Sequence, residues 1–378
     1  MTPDDSALRH AESWYSRHAG TAVVLAFAAL AGACSGVGTA RSAGGGTPSA
    51  GGAPRQAVVA EAYESERLNG DNIDSLAVWA PGGWLLATAK SSDSVIVLDV
   101  ASGAVIRRLG GTGNGAGQFK RPNGIAVVDD LLLVVERDNR RVQVIALPEL
   151  STLGFFGEGV LRFPYGVASF ASGNGRYEVY VTDSYQQPDS TIPPDPLLGE
   201  RVRHFRVDRE QAGLHATLVR SFGATSGLGA LHVVESIAAD PRADRLLIAD
   251  EAVGFHDIKV YKLDGRFTGE VLGHGLFQAE PEGIALVECG AGGFWVTTDQ
   301  QKAKTVFYLL DRRTLELRGS FHGDVVANTD GIVTATAAVK GFPSGAVFAV
   351  DNDVRVAAFG WPAIASSLGL PGQCRAAI

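Results

Sequence analysis

Six copies of one short phrase constrain this chain more than any other feature. A polar residue, a small residue and two apolar residues recur as Asp74-Ser-Leu-Ala, Asn123-Gly-Ile-Ala, Tyr165-Gly-Val-Ala, Glu235-Ser-Ile-Ala, Glu282-Gly-Ile-Ala and Asp330-Gly-Ile-Val. Successive copies lie 49, 42, 70, 47 and 48 residues apart. The long step holds Gln186 to Leu198 (QQPDSTIPPDPLL), a Pro-rich stretch that reads as a loop. After each phrase comes a turn and then an apolar run such as Trp84-Leu-Leu-Ala-Thr, Leu131-Leu-Leu-Val-Val or Arg245-Leu-Leu-Ile-Ala. The runs lead into a polar, mostly acidic stretch at Lys90, Glu136, Asp183, Asp250 with Glu251, Asp299 and Asp351. A further β-branched run follows, as in Val95-Ile-Val-Leu and Ile258-Lys-Val-Tyr.

Short strands with turn signals at this period are the signature of an all-β, six-bladed β-propeller. Ala57 to Glu64 (AVVAEAYE) is strand-like, precedes the first phrase, and is expected to complete the last blade. Closing the ring in that way removes exposed sheet edges. A hydrophobic content of 46% suffices for a core and excludes global disorder. No Gly-rich phosphate loop opens a helix, which leaves a Rossmann reading without support.

The N-terminus reads as an address. Residues 1–33 carry an apolar segment of signal-peptide length, Thr21 to Ala31, ending in Leu30-Ala31-Gly32-Ala33-Cys34. Small residues before a cysteine resemble a bacterial lipobox, with Cys34 as the lipidated residue. An ordinary cleaved signal followed by a chance cysteine is the alternative. Residues 34–55 are rich in Gly, Ala and Ser and behave as a flexible tether. The propeller is then expected over 56–370, lipid-anchored at the bacterial cell envelope and touching the membrane through the anchor alone. Cys289 and Cys374 remain, and an exported protein could pair them. The formal net charge of −8 argues against a nucleic-acid partner. The protein is expected to be a monomer.

Equivalent positions of a propeller lie at equal radius, so the first residues of the phrases form a ring. Four of the six, Asp74, Glu235, Glu282 and Asp330, are carboxylates. Like charges held together cost free energy that a bound cation removes. Oxygen donors without His or Cys suit a hard cation such as Ca²⁺. An acidic residue before Gly or Ser also makes a turn at the start of a strand, and that alternative stands beside the cation ring. Glu66, Asp71, Glu251 and Glu280 lie nearby in the pattern and suggest several ions. Lys90, Arg137, Arg140 and Arg141 offer positive charge to a polyanion such as a phosphate ester.

These residues resemble the β-propeller phytases. Glu64-Ser-Glu-Arg followed by Asp71-Asn-Ile-Asp-Ser-Leu-Ala-Val-Trp79 is similar to that family's opening. Glu280-Pro-Glu-Gly-Ile, Thr329-Asp-Gly-Ile, Phe342-Pro-Ser-Gly-Ala-Val-Phe and Trp361-Pro-Ala-Ile-Ala resemble its later blades and closing segment. The resemblance implies a Ca²⁺-dependent phosphomonoesterase hydrolysing phytate (inositol hexakisphosphate) or a related phosphoester. It implies metal ligands at Glu66, Asp74, Glu235, Glu251, Glu280, Glu282, Gln300 and Asp330. It further implies catalytic roles for Glu235, Glu251 and Tyr165, and substrate contacts from Lys90 and from Arg137 or Arg140. The family's second Asp of a pair is Ser75 here, and its blade-three Lys near Asp183 is absent. Gly113 to Val144 also resembles an NHL-type repeat, which implies a non-catalytic binding scaffold. A lactonase-like propeller with one Ca²⁺ is a third reading.

Overall fold

The computed structural model describes residues 54–211 and 213–372. They form six sheets in sequence order. Blade one runs Ile73–Trp79, Trp84–Ala89, Ser94–Asp99 and Val105–Gly110, from the innermost strand outward. The inner strands of the next five blades are Pro122–Val128, Pro164–Gly173, Ile237–Asp240, Pro281–Cys289 and Ile332–Ala335. Each inner strand touches the inner strands of both neighbours, and that of blade six touches that of blade one. The fold is therefore an all-β, six-bladed β-propeller closed on itself.

The second strand of each blade is apolar throughout because both of its faces are covered. Leu85 and Ala87 pack toward blade six with Phe348 and Val350, while Leu86 packs toward blade two with Leu132 and Val134. Alternation at period two survives, but each side meets a different blade. Six such apolar clusters fill the six junctions.

The glycine of the phrase has a steric cause. A Cβ on Gly124 would lie 2.3 Å from the carbonyl oxygen of Tyr165, and one on Gly166 would lie 2.1 Å from that of Glu235. Gly331 meets the Asp74 carbonyl in the same way at 2.3 Å. At these three junctions the neighbouring inner strand approaches so closely that only hydrogen fits, whereas the blade-one and blade-four phrases carry Ser75 and Ser236 at the same position.

Closure differs from the sequence expectation. Ala57 to Glu64 does not enter the last blade as one strand. Arg55–Val58 joins blade five as a fifth strand, parallel to Leu317–His322. Tyr63–Glu64 alone supplies the outer strand of blade six. Between them the Glu61 carboxylate accepts the backbone N–H groups of Asp324, Val325 and Val326. That clamp carries the segment from one blade to the next. The loop expected at Gln186 to Leu198 lies between the second and third strands of blade three and includes a short 3-10 helix, Asp195–Leu197. Its base is fixed by the buried Arg201 guanidinium, which donates to the carbonyls of Asp183, Tyr185, Leu231 and His232. Trp361–Leu368 forms a helix whose Trp361, Ile364, Ala365 and Leu368 are buried. Cys289 is disulfide-bonded, with its partner outside the described residues.

Candidate metal centre at the channel mouth

Antiparallel pairing brings the end of each second strand beside the start of the inner strand. Ile73 faces Ala89, Pro122 faces Glu136, Pro164 faces Asp183 and Pro281 faces Asp299. The residue after each second strand, namely Lys90, Arg137, Ser184, Glu251, Gln300 or Asn352, therefore sits on the same end of the propeller as the phrase starts.

Asp74, Tyr165, Glu235, Glu282 and Asp330 line one small pocket of about 20 Å³. It shares Ser75, Gly166 and Ser236 with a central channel of about 310 Å³, lined by the inner strands of all six blades. Asn123, the remaining phrase residue, is buried, and its side-chain amide lies outside that pocket without a partner. Threonines on the second strands stitch the mouth together. The Thr182 hydroxyl accepts from Gly166 N at 2.7 Å and donates to the Glu235 carbonyl at 2.9 Å. Thr88 does the same between Ser75 N and the Asn123 carbonyl.

Three carboxylates from blades four and five converge. One oxygen each of Glu235, Glu251 and Glu282 lies within 4.8 Å of the others. Glu251 is 6% exposed, and its Oε1 has no hydrogen-bond partner. Burial, reinforced by the charge of Asp74, pushes Glu235 up to about 8. Burial and the neighbouring glutamates hold Glu251 and Glu282 well above the usual carboxylate range. Glu280 is also raised by burial, against the opposing charges of His256 and Lys302. Tyr165 hydrogen-bonds Glu235.

Lys90 crosses the opposite side of the mouth. Its Nζ lies 2.7 Å from Asp74 Oδ1 and 3.1 Å from Asp330 Oδ2. Burial opposes its charge, but Asp74, Tyr165 and Asp330 outweigh burial and hold its pKa well above the ordinary value. Gln300 donates its amide to Asp330 Oδ1, and Ser75 donates its hydroxyl to Asp74 Oδ2 at 3.1 Å. Burial, with the charges of Asp353 and Asp74, pushes Asp330 up to about 7 despite Lys90.

Other sequence-selected residues lie elsewhere. Glu66 is exposed, outside the three-glutamate cluster, and acts on the charge of Arg108. Arg108 itself makes a bidentate pair with Asp71. Arg137 pairs with Asp138 at 2.8 Å and lies 4.7 Å over the Phe163 ring. Arg140 is exposed in a left-handed turn with φ 55°. Arg141 is buried against Glu136, not available to a ligand. Cys34 falls outside the described residues.

The acids that end the second strands have a structural task. Asp183 accepts from Phe163 N at 2.7 Å and from Arg203 at 3.2 Å. Asp250 takes His232 N, Val233 N and Lys259, and Asp351 takes Ala327 N and Arg355. Asp299 takes Gln278 N and Ala279 N. Each therefore pins the loop that feeds its own inner strand. Sequence reasoning missed Asp353, which hydrogen-bonds Asp330 from the next turn of blade six with φ 58°.

No family model matches the chain, and no curated protein matches it. Similar solved structures include hydrazine synthase of Kuenenia stuttgartiensis, at 14% identity and TM-score 0.43, covering 74% of each chain. They also include the Cps50 (Swd1) β-propeller domain of Myceliophteria thermophila, at 10% identity and TM-score 0.44, covering 78% of this chain and 99% of that one.

Proposed function

We propose that this protein is a Ca²⁺-dependent phosphomonoesterase of the phytase type, acting on phytate or a related phosphoester. The observation that carries the reading is the cluster of Glu235, Glu251 and Glu282, with an orphaned oxygen on buried Glu251. A carboxylate oxygen buried without a donor, as Glu251 Oε1 is, is costly, and a cation is the natural partner where three carboxylates converge. The oxygen-only donor set fits a hard cation. Bound there, Ca²⁺ would supply Lewis-acid polarisation of a phosphoryl oxygen and a more acidic water.

The chain's own groups divide the remaining work. Tyr165 fixes Glu235 by its hydrogen bond and presents a phenol at the pocket wall. Lys90 contributes positive charge beside Tyr165. Arg140, exposed on the turn after the second strand of blade two, and Arg137 beside it offer guanidinium forks suited to phosphate. Such a site needs no side-chain nucleophile.

Export with lipidation at Cys34 belongs to the same reading, and the disulfide at Cys289 suits an oxidising compartment. A non-catalytic scaffold is the second reading. The turn after Glu251, with Val253 82% and Phe255 42% exposed, is what favours it. The test is phosphate release from phytate in excess Ca²⁺ by the wild type and by Glu282→Gln. The reading expects release from the first and none from the second; equal release from both overturns it.

A further inference from the structure

The acidic mouth has two halves that differ in how their oxygens are satisfied. In the half built by Asp74 and Asp330, every carboxylate oxygen meets a side-chain donor. Lys90 Nζ serves Asp74 Oδ1 and Asp330 Oδ2, Ser75 serves Asp74 Oδ2, and Gln300 serves Asp330 Oδ1. Lys90 is 9% exposed, so this is a buried ammonium between two carboxylates, not a side chain waving in solvent. In the half built by Glu235, Glu251 and Glu282, Glu251 Oε1 has no donor.

A metal ion needs oxygens with free lone pairs and negative charge not already neutralised. The Asp74–Asp330 pair has no oxygen without a donor and shares the Lys90 charge; the oxygen left over in that half is Asp353 Oδ1, and a lone oxygen makes no site. An ion placed there would lie within a few ångströms of the Lys90 ammonium and would have to displace it. Ser75 acts in the same direction. Where the resembling family carries a second acid, this chain places a hydroxyl that donates to Asp74 and uses up an acceptor.

We propose that Lys90 is a built-in cation that fills the Asp74–Asp330 half of the mouth, so that the protein takes a single metal ion, on Glu235, Glu251 and Glu282. This rests on the mouth being a cation site and is independent of phosphatase activity. Several ions, as the resemblance implies, would need the lysine to leave. Its removal should create a second site, with Asp353 beside Asp330 as a further oxygen donor.

The experiment is calorimetric titration of the protein with Ca²⁺ at pH 7.5, repeated with Tb³⁺ luminescence. A variant with Glu235, Glu251, Glu282 and Asp330 all changed to the matching amides serves as the blank for ions bound elsewhere. The wild type should bind one more ion than the blank. Lys90→Met and Lys90→Gln should each bind one more ion than the wild type. A wild-type excess of two or more overturns the proposal. So does a zero excess, and so does a Lys90 variant that folds and gains no ion. If neither Lys90 variant folds, the wild-type excess decides alone. A protein that binds one ion yet releases no phosphate keeps this inference and loses the phosphatase reading. One that hydrolyses phytate with two ions at the mouth does the reverse.

Discussion

Replacing a buried charged residue usually weakens a protein, but at Glu251 the opposite is expected when no metal is bound. The perturbation is Glu251→Gln in the presence of a chelator at pH 8. Glu251 lies with Glu235 and Glu282 in a cluster whose oxygens are within 4.8 Å. At that separation one like-charged neighbour costs about 3.5 kcal/mol with an effective dielectric of about 20. Two fully charged neighbours at that distance give about 7 kcal/mol, which partial protonation and side-chain movement reduce to about 1–3 kcal/mol. Neutralising Glu251 relieves that repulsion, and the lost Oε1 had no donor to forfeit. Chelated Glu251→Gln should therefore melt about 2–6 °C above the chelated wild type. At pH 5 the difference should shrink, because protons already neutralise the cluster. Added Ca²⁺ should raise the wild-type melting temperature and leave the variant almost unchanged. Scanning calorimetry of both proteins reads all three conditions. A variant less stable than the wild type in chelator at pH 8 would refute the reasoning, since it would mean that the Glu251 carboxylate is satisfied by the protein.

Four further outcomes follow from the same geometry. The chelated wild type should lose stability as pH rises from 5 to 8.5: Glu235, at about 8 in the folded chain, holds a proton that the unfolded chain has released, so folded protein binds more protons across that window. Ca²⁺ competes with those protons, so its affinity should rise over the same range, and titration at several pH values checks both signs. Asp183→Ala removes the partner of buried Arg203 and of Phe163 N, and should cost about 3–5 kcal/mol in urea unfolding while leaving Ca²⁺ affinity within about twofold. Gly166→Ala drives a Cβ into the Glu235 carbonyl at 2.1 Å and should cost about 1–3 kcal/mol or more, with a parallel fall in Ca²⁺ affinity because the strand carrying Glu235 must move.

The blades were legible because three signals agree at one period: the phrase, the apolar second strand and the turn between them. The second strands read as continuous apolar runs since both faces meet neighbouring blades. The closing segment was not legible at the same level. Arg55–Val58 and Tyr63–Glu64 are short, and what separates them is the tertiary clamp of Glu61 on the loop at 324–326. At the site, the repeat alone assigns Asp74, Tyr165, Glu235, Glu282 and Asp330 a common radius, and the structure places all five around one pocket.

Neighbouring acids were harder to separate. Asp250 and Glu251 are adjacent in sequence, yet Asp250 turns back to backbone N–H groups and Lys259 while Glu251 faces the other glutamates. Only the alternation of side chains at a strand end distinguishes them, and a turn interrupts that alternation. Asp353 reads in sequence as one more turn-former in the left-handed region. Its contact with Asp330 is made inside blade six, between the turn after the second strand and the start of the inner strand. Lys90 looked like a residue for phosphate, and its place between carboxylates of blades one and six is set by closure of the ring.

The central claim is that a cation sits on Glu235, Glu251 and Glu282. The most direct test is the anomalous difference density of crystals grown with Ca²⁺ at pH 8. The account predicts a peak between those three side chains, with carboxylate oxygens at about 2.3–2.6 Å. A mouth without such a peak in saturating Ca²⁺, with the three carboxyls hydrogen-bonded to one another as acids, would contradict it.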